Sequence, residues 1–403
     1  MPVPVLGDRS LFPTLRPRVY LNHAAVSPLS QPVVEAARHA VDDFAAEGIG
    51  AVGRWMRARE ALREDLAELL GVAPASLGFP PGTTRGIVDI ALAIDWKPGD
   101  VIVVFEGEFP SNVTPWIATA ARFGARVLSL PLDGFGDGSG AGLERVEATL
   151  KTEPVRLVAV SAVQFATGLR MPLTALGQLA HAHDAELFVD GVQALGALAV
   201  DLDHVDYLVA GTHKWWMSVD GLATAYASEA ARARLKPLTA GWLSVEDPLG
   251  FLFEGQGHLR YDRAVRTSLD WMEGGVQTTA AFAGLHASVT LLAQLGFPAI
   301  ENHLQTLHDA LEPPLQALGL ISGRAADPQA RSGTLSFRPP PGVELKALAD
   351  ALGDRGVSVS TPDGWLRLSP HWPNGLHEID TVVEATREAL AQSPPRDRAV
   401  DPR

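Results

Sequence analysis

The spacing of apolar positions changes character along the chain. Across residues 31–70 they recur at helical intervals: Val34, Ala37, Val41 and Phe44 are separated by charged residues, which predicts a helix. Beyond residue 100 the pattern becomes short apolar runs that end in Gly, Pro or Asp, each followed by an amphipathic stretch. These runs predict strands at 101–105, 125–130, 157–161, 186–190, 207–210 and 223–227. Continuous apolar strands separated by helices are covered on both faces, so the pattern predicts an α/β fold with a mostly parallel central sheet. Residues 281–318 read as helical, with a break at Gly296-Phe297-Pro298. Strands at 333–337, 357–360 and 365–369, with helices at 345–352 and from 378, predict a smaller α+β C-terminal domain. The expected division is an arm over 1–19, a large domain over 20–280, a small domain over 281–391 and a disordered tail over 392–403. The glycine-rich run 133–142 fits no dinucleotide fingerprint and reads as a surface loop.

Composition narrows the chemistry. A length of 403 residues exceeds one ordinary core. A net charge of −14 argues against nucleic acid as partner, because phosphate binding needs clustered cations. The absence of cysteine removes disulfides, thiolate metal sites and any cysteine nucleophile. No apolar run approaches the roughly 20 residues of a membrane span, and no basic, then apolar, leader opens the chain. The expectation is a cytoplasmic protein with no membrane partner.

In open parallel sheets, ligands bind beyond the carboxyl ends of the strands. Four positions there carry candidate chemistry. Lys214 follows the apolar run at 207–210 and is walled by Thr212, His213, Trp215 and Trp216. An apolar wall lowers a lysine's pKa, as a Schiff-base nucleophile requires; the alternative is a lysine snorkelling over aromatics. Asp190 ends the run at 186–190 and is either a partner for a buried cation, such as a protonated pyridine nitrogen, or a helix N-cap. Gly82-Thr83-Thr84 opens a helix and is either a phosphate cradle or a capping turn. Arg367, inside an alternating strand, is either a carboxylate clamp or a surface arginine. His181 and His183 have no third ligand nearby in sequence and read as structural rather than metal-binding.

The chain resembles the class V aminotransferase family of fold-type-I pyridoxal-phosphate enzymes, which includes cysteine desulfurases, isopenicillin-N-epimerase-like proteins and C–S lyases. The resemblance runs from Tyr20-Leu21-Asn22-His23-Ala24-Ala25 to Leu366-Arg367-Leu368-Ser369-Pro370. Its most specific pieces are Glu108-Phe109-Pro110-Ser111-Asn112, Val163-Gln164-Phe165-Ala166-Thr167-Gly168, Asp190-Gly191-Val192-Gln193 and Gly211-Thr212-His213-Lys214. It implies pyridoxal 5'-phosphate as cofactor, an amino acid as substrate and a homodimer. It implies that Lys214 forms the Schiff base and moves the α-proton, that Asp190 pairs with the pyridine nitrogen, and that Gln193 bonds the phenolic oxygen. Thr83, Thr84 and His213 would hold the phosphate, with Thr212 beside them and Gln164 also at the cofactor. Arg367 would take the substrate carboxylate, and Asn22, His23 and Ala24 would border the substrate.

Phe109 stands where many relatives stack a histidine; it stacks but cannot move protons. Val276 stands where relatives offer the phosphate a threonine from the partner subunit, leaving Thr278 or a backbone N–H for that contact. The desulfurase cysteine is missing, which excludes a persulfide-forming transferase. Transamination and β-elimination are the expected reactions, with epimerisation behind them. A non-catalytic ligand-binding relative is the alternative from another class.

Overall fold

The computed structural model describes residues 3–392, so all but the first residue of the expected tail lies outside the described residues. A seven-stranded sheet forms the centre, ordered Leu77–Gly78, Ala223–Ala227, Tyr207–Gly211, Glu186–Asp190, Val155–Ser161, Val101–Phe105 and Arg126–Leu130. The last five strands are mutually parallel, and the first two run antiparallel to their neighbours.

Alternation along each strand feeds two cores. Val101, Val103 and Phe105 join one cluster while Ile102 lies with Val104 in the other; Leu187 and Val189 are likewise split from Phe188. Period-two geometry sends successive side chains to opposite faces, and because helices cover both faces the central positions of these strands are apolar throughout. Trp116 meets Phe188 edge-on at 4.9 Å on one face.

The predicted helix over 31–70 is two helices, Gln31–Glu47 and Ile49–Leu70. Gly48 separates them at φ +53°, a conformation that costs glycine little. The break at Gly296 falls where predicted, between Thr279–Leu295 and Phe297–Ala317. Among the described residues no single helix is long and apolar enough to cross a membrane.

Beyond the large sheet, Leu366–Leu368, Leu335–Arg338 and Ile321–Ser322 form a three-stranded antiparallel sheet with its own core. The N-terminal arm touches both cores, Val19 in the smaller cluster and Phe12 in the larger. Val19–Tyr20 pairs in parallel with Val357–Ser358, and Phe12 packs buried against Trp372 at 5.4 Å. The glycine-rich run at 133–142 is anchored at Phe135, which is buried edge-on against Phe105; the helix Ala141–Thr152 starts within its last residues.

Because the last five strands of the large sheet are parallel, their carboxyl ends share one edge. The loops that leave that edge carry Glu108 and Phe109, Gln164 and Phe165, Asp190 to Gln193, and Thr212 to Lys214.

Candidate active site

A cavity of about 670 Å³ opens at that edge. Lys214, Asp190, Gln193, Thr83, Thr84, His213, Phe109, Ala24 and Arg367 all line it. Sequence elements more than 340 residues apart therefore meet at one site.

Local structure fixes each group. Lys214 begins a turn closed by the Met217 N–H donating to the Lys214 carbonyl at 2.8 Å. Met217 holds a left-handed φ of +51°, uncommon for a non-glycine residue. Trp215 and Trp216 are fully buried and anchor the turn. The Trp215 indole N–H donates to Gln193 Oε1 at 2.7 Å, and Gln193 Nε2 donates to the Ala24 carbonyl at 3.1 Å. That leaves Gln193 one amide N–H for a ligand.

Thr83 and Thr84 open the helix Thr83–Ala93 directly after Gly82. The first backbone N–H groups of a helix have no intrahelical partner and sit at the positive end of its dipole, which favours an anion. A Cβ at Gly211 would stand 2.6 Å from Thr83 Oγ1, so glycine there lets the threonine reach the strand end.

Electrostatics distinguish the three central groups. Burial lowers the Lys214 ammonium to about 8; Asp190 opposes that shift and Arg367 adds to it. Burial pushes the Asp190 carboxyl up to about 7, the Val192 N–H pulls it down, nearby Glu108 raises it and Lys214 lowers it. Asp190 Oδ1 accepts from Val192 N at 2.9 Å. Burial lowers the Arg367 guanidinium to about 10. Arg367 as a residue is 4% exposed, and its guanidinium donates to neutral acceptors: Nε to Ser360 Oγ at 3.1 Å and Nη1 to the Phe165 carbonyl at 2.7 Å. Among the described residues it has no carboxylate partner, although a buried cation strongly favours one.

A lysine neutral near pH 8 reacts with aldehydes where an ordinary lysine is fully protonated. The rate at which the protein takes up pyridoxal phosphate, the cofactor its resemblance implies, is expected to rise through a midpoint near pH 8. Stopped-flow absorbance across pH 6–10 checks this; a midpoint near that of free lysine would contradict it.

Several expected residues lie off the cavity wall. Thr212 is fully buried, and its hydroxyl donates to the Val219 and Leu222 carbonyls. Gln164 is buried with its amide nitrogen on Glu108 Oε1 at 2.9 Å. His23 is buried with Nδ1 against Ser27 Oγ at 2.8 Å, and burial holds its imidazole well below the usual range. Asn22 sits one residue behind it, bridged to Ser369. Thr278 is exposed at the start of Thr279–Leu295, outside this chain's own cavity. Away from the site, His181 bonds Asp206 at 2.7 Å.

The sequence reading gave no role to Glu108, Ser111, Phe165 or Arg85. Three of these, Ser111, Phe165 and Arg85, line the cavity, and Glu108 lies buried behind it. Glu108 follows a buried strand just as Lys214 does, which is the signal that could have found it.

Comparison with known proteins gives the cavity its class. The fold matches a solved complex of the cystine C–S lyase C-DES with cysteine persulfide at a TM-score of 0.83, with 22% identity over 95% of this chain and 100% of that one. It matches a cysteine desulfurase from Thermococcus onnurineus at a TM-score of 0.80, with 23% identity over 93% and 94% of the two chains. The fold is that of the fold-type-I pyridoxal-phosphate enzymes. Within that class the chain belongs to the class V aminotransferases, whose family model matches residues 19–365. A cysteine desulfurase from Klebsiella pneumoniae is 30% identical over 82% of this chain and 81% of its own length. A probable cysteine desulfurase from Methanothermobacter thermautotrophicus is 27% identical over 94% and 96%. The protein is a pyridoxal-phosphate-dependent enzyme.

Proposed function

We propose that this enzyme carries out β-elimination on a cysteine-derived amino acid, held by its carboxylate on Arg367 while its amine reacts beside Lys214. One observation carries the reading: a buried guanidinium with no carboxylate partner among the described residues faces the same cavity as a lysine whose ammonium burial lowers to about 8.

The residues present fit pyridoxal phosphate. Gly82, Thr83, Thr84 and His213 would take its phosphate, Asp190 its ring nitrogen, Gln193 its phenolic oxygen and Phe109 one ring face. When bound, the cofactor supplies an aldehyde for amines and a ring that withdraws electrons from the α-carbon. Asp190, held near neutrality by burial, ionises once a cation stands in front of it. Arg367 fixes the substrate so that the α-proton lies within reach of Lys214 Nζ. Lys214 removes that proton; Phe109, 5.4 Å from Nζ, has none to exchange. The electron pair left at Cα forms the Cα–Cβ double bond as the sulfur substituent departs from Cβ with the C–S pair, as a thiolate or persulfide. Water hydrolyses the released enamine to pyruvate and ammonia.

Two comparisons support elimination over its rivals. Relatives named for cysteine chemistry cover most of the chain, yet this chain has no cysteine to carry a persulfide. A dicarboxylate acceptor for transamination would want a second clamp. The other arginine on the cavity wall, Arg85, has its Nε on both Asp89 oxygens and is half exposed. Incubation with L-cystine and L-cysteine is expected to release pyruvate and ammonia without any keto-acid acceptor. Turnover that requires a keto acid and yields no ammonia would establish transamination instead.

The same reading makes the enzyme a cytoplasmic homodimer that engages neither nucleic acid nor membrane. Support for a second copy lies in exposed apolar side chains concentrated over 242–276: Phe253 at 67%, Leu259 at 58%, Tyr261 at 92% and Val276 at 87%. Contiguous exposed apolar surface marks interfaces. Thr278, just beyond this stretch, would serve the phosphate of the second copy. Sedimentation at micromolar concentration is expected to give a two-chain species, and a fully active monomer would contradict it.

A further inference from the structure

Glu108 is 8% exposed and has no cation partner among the described residues. Burial raises its carboxyl, and hydrogen bonds from Ser161, Gln164 and Asn112 oppose that shift. Its Oε1 accepts from the Ser161 N–H at 2.7 Å and Gln164 Nε2 at 2.9 Å. Its Oε2 accepts from the Ser161 hydroxyl and from Asn112 Nδ2 at 3.1 Å. Four donors on one carboxylate compensate much of the cost of burying it.

Those donors come from different segments. Asn112 belongs to Pro110–Asn112, Ser161 ends the strand Val155–Ser161, and Gln164 lies in the loop after it. Asn112 Oδ1 in turn accepts from Trp116 Nε1 at 3.1 Å. Three of the four residues in this cluster adjoin the cavity wall in sequence, Asn112 through Ser111. Phe109 follows Glu108, and Phe165 follows Gln164. The two rings meet edge-on at 5.3 Å and 81°. The Phe165 carbonyl is the acceptor for Arg367 Nη1. One carboxylate thus ties together the ring beside Lys214 and the loop that seats the carboxylate clamp.

We infer that Glu108 is a positioning residue that sets Phe109 against the cofactor ring and Arg367 against the substrate carboxylate in a single frame. The inference rests on the proposed roles of Phe109 and Arg367. Glutamine is the informative replacement. Its oxygen keeps the Ser161 N–H and Gln164, and its NH2 can donate to the Ser161 hydroxyl, which also accepts. Only the Asn112 contact is lost, because Trp116 holds the Asn112 oxygen. Alanine loses all four.

The test titrates cofactor-stripped protein with pyridoxal phosphate, following absorbance and visible circular dichroism. Removing a buried acceptor leaves donors unsatisfied, and Glu108→Ala is expected to raise Kd about tenfold. It is also expected to weaken the dichroism per bound chromophore, a signature of ring orientation that a loss of stability alone would not move. Glu108→Gln recovers most of both. If the alanine variant does not fold, Glu108→Asp, too short to reach Ser161 and Asn112 together, takes its place and behaves as described for alanine. Wild-type Kd and dichroism in the alanine or aspartate variant overturn the inference, as does a glutamine variant no better than alanine. A wild type that takes up no pyridoxal phosphate overturns the proposed function and this inference together.

Discussion

Lys214→Ala is expected to lower kcat by on the order of a thousandfold or more, because in the proposed function one side chain both takes the aldehyde and moves the α-proton. The structure gives the reason that no other group compensates. The Phe109 ring, centred 5.4 Å from Nζ, cannot titrate. His213, also on the wall, has its imidazole held below its usual value by burial and by Lys214 itself, and the proposed arrangement commits it to the phosphate. The variant should still bind pyridoxal phosphate through Gly82, Thr83, Thr84 and Asp190, so its affinity falls far less than its turnover. Added small primary amines should restore part of the rate if the missing function is proton transfer. Steady-state kinetics with L-cystine checks this, and a variant within tenfold of wild type would contradict the assignment.

Asp190→Asn is expected to cost about 10²–10³-fold in kcat, the scale at which losing one preorganised electrostatic contact, such as an oxyanion-hole donor, slows a reaction. Asparagine keeps the shape, and its Oδ1 can still accept from Val192. It cannot provide the negative charge that keeps a pyridine nitrogen protonated. The same substitution should have the opposite effect on the cofactor-free protein. Asp190 has a folded pKa of about 7 against 3.8 when unfolded. Between those values the native state binds more protons than the unfolded one, so its stability falls as pH rises through that window. A neutral asparagine does not suffer this loss. The cofactor-free variant is expected to melt higher than wild type at pH 8 and the same at pH 4. Lower activity with higher apoprotein stability is the pattern of a group retained for chemistry at a cost to the fold. Calorimetry at the two pH values checks it, and a variant that melts lower at pH 8 would show that Asp190 is structural.

Strands were legible where burial on both faces made them continuously apolar. The runs at 101–105, 186–190 and 223–227 match the observed strands residue for residue. The Leu77–Gly78 strand was not legible, because two residues carry no periodicity and pairing to Ala223–Ala227 defines it. The break at Gly48 was hidden because the apolar spacing continues across it, and only backbone geometry reveals the turn. At the site, Lys214, Asp190 and Arg367 could be found because a charged residue bordering a buried strand is conspicuous. The destinations of Thr212 and Gln164 could not. A hydroxyl or amide bonds whatever the fold brings near, and here those partners are the Val219 carbonyl and Glu108. Glu108 shows the converse: it met the same criterion as Lys214, but its partners, Ser161 and Gln164, lie more than 50 residues away and become visible only in three dimensions.

The account depends on the Lys214 amine capturing the cofactor aldehyde. Borohydride reduction of the pyridoxal-phosphate-loaded enzyme, followed by proteolysis and mass spectrometry of the peptides, tests this most directly. The expected result is a reduced pyridoxyl group on the peptide that carries Lys214 and no other, with the visible band bleached. Label on a different lysine, or no label on a protein that keeps its colour, would contradict it.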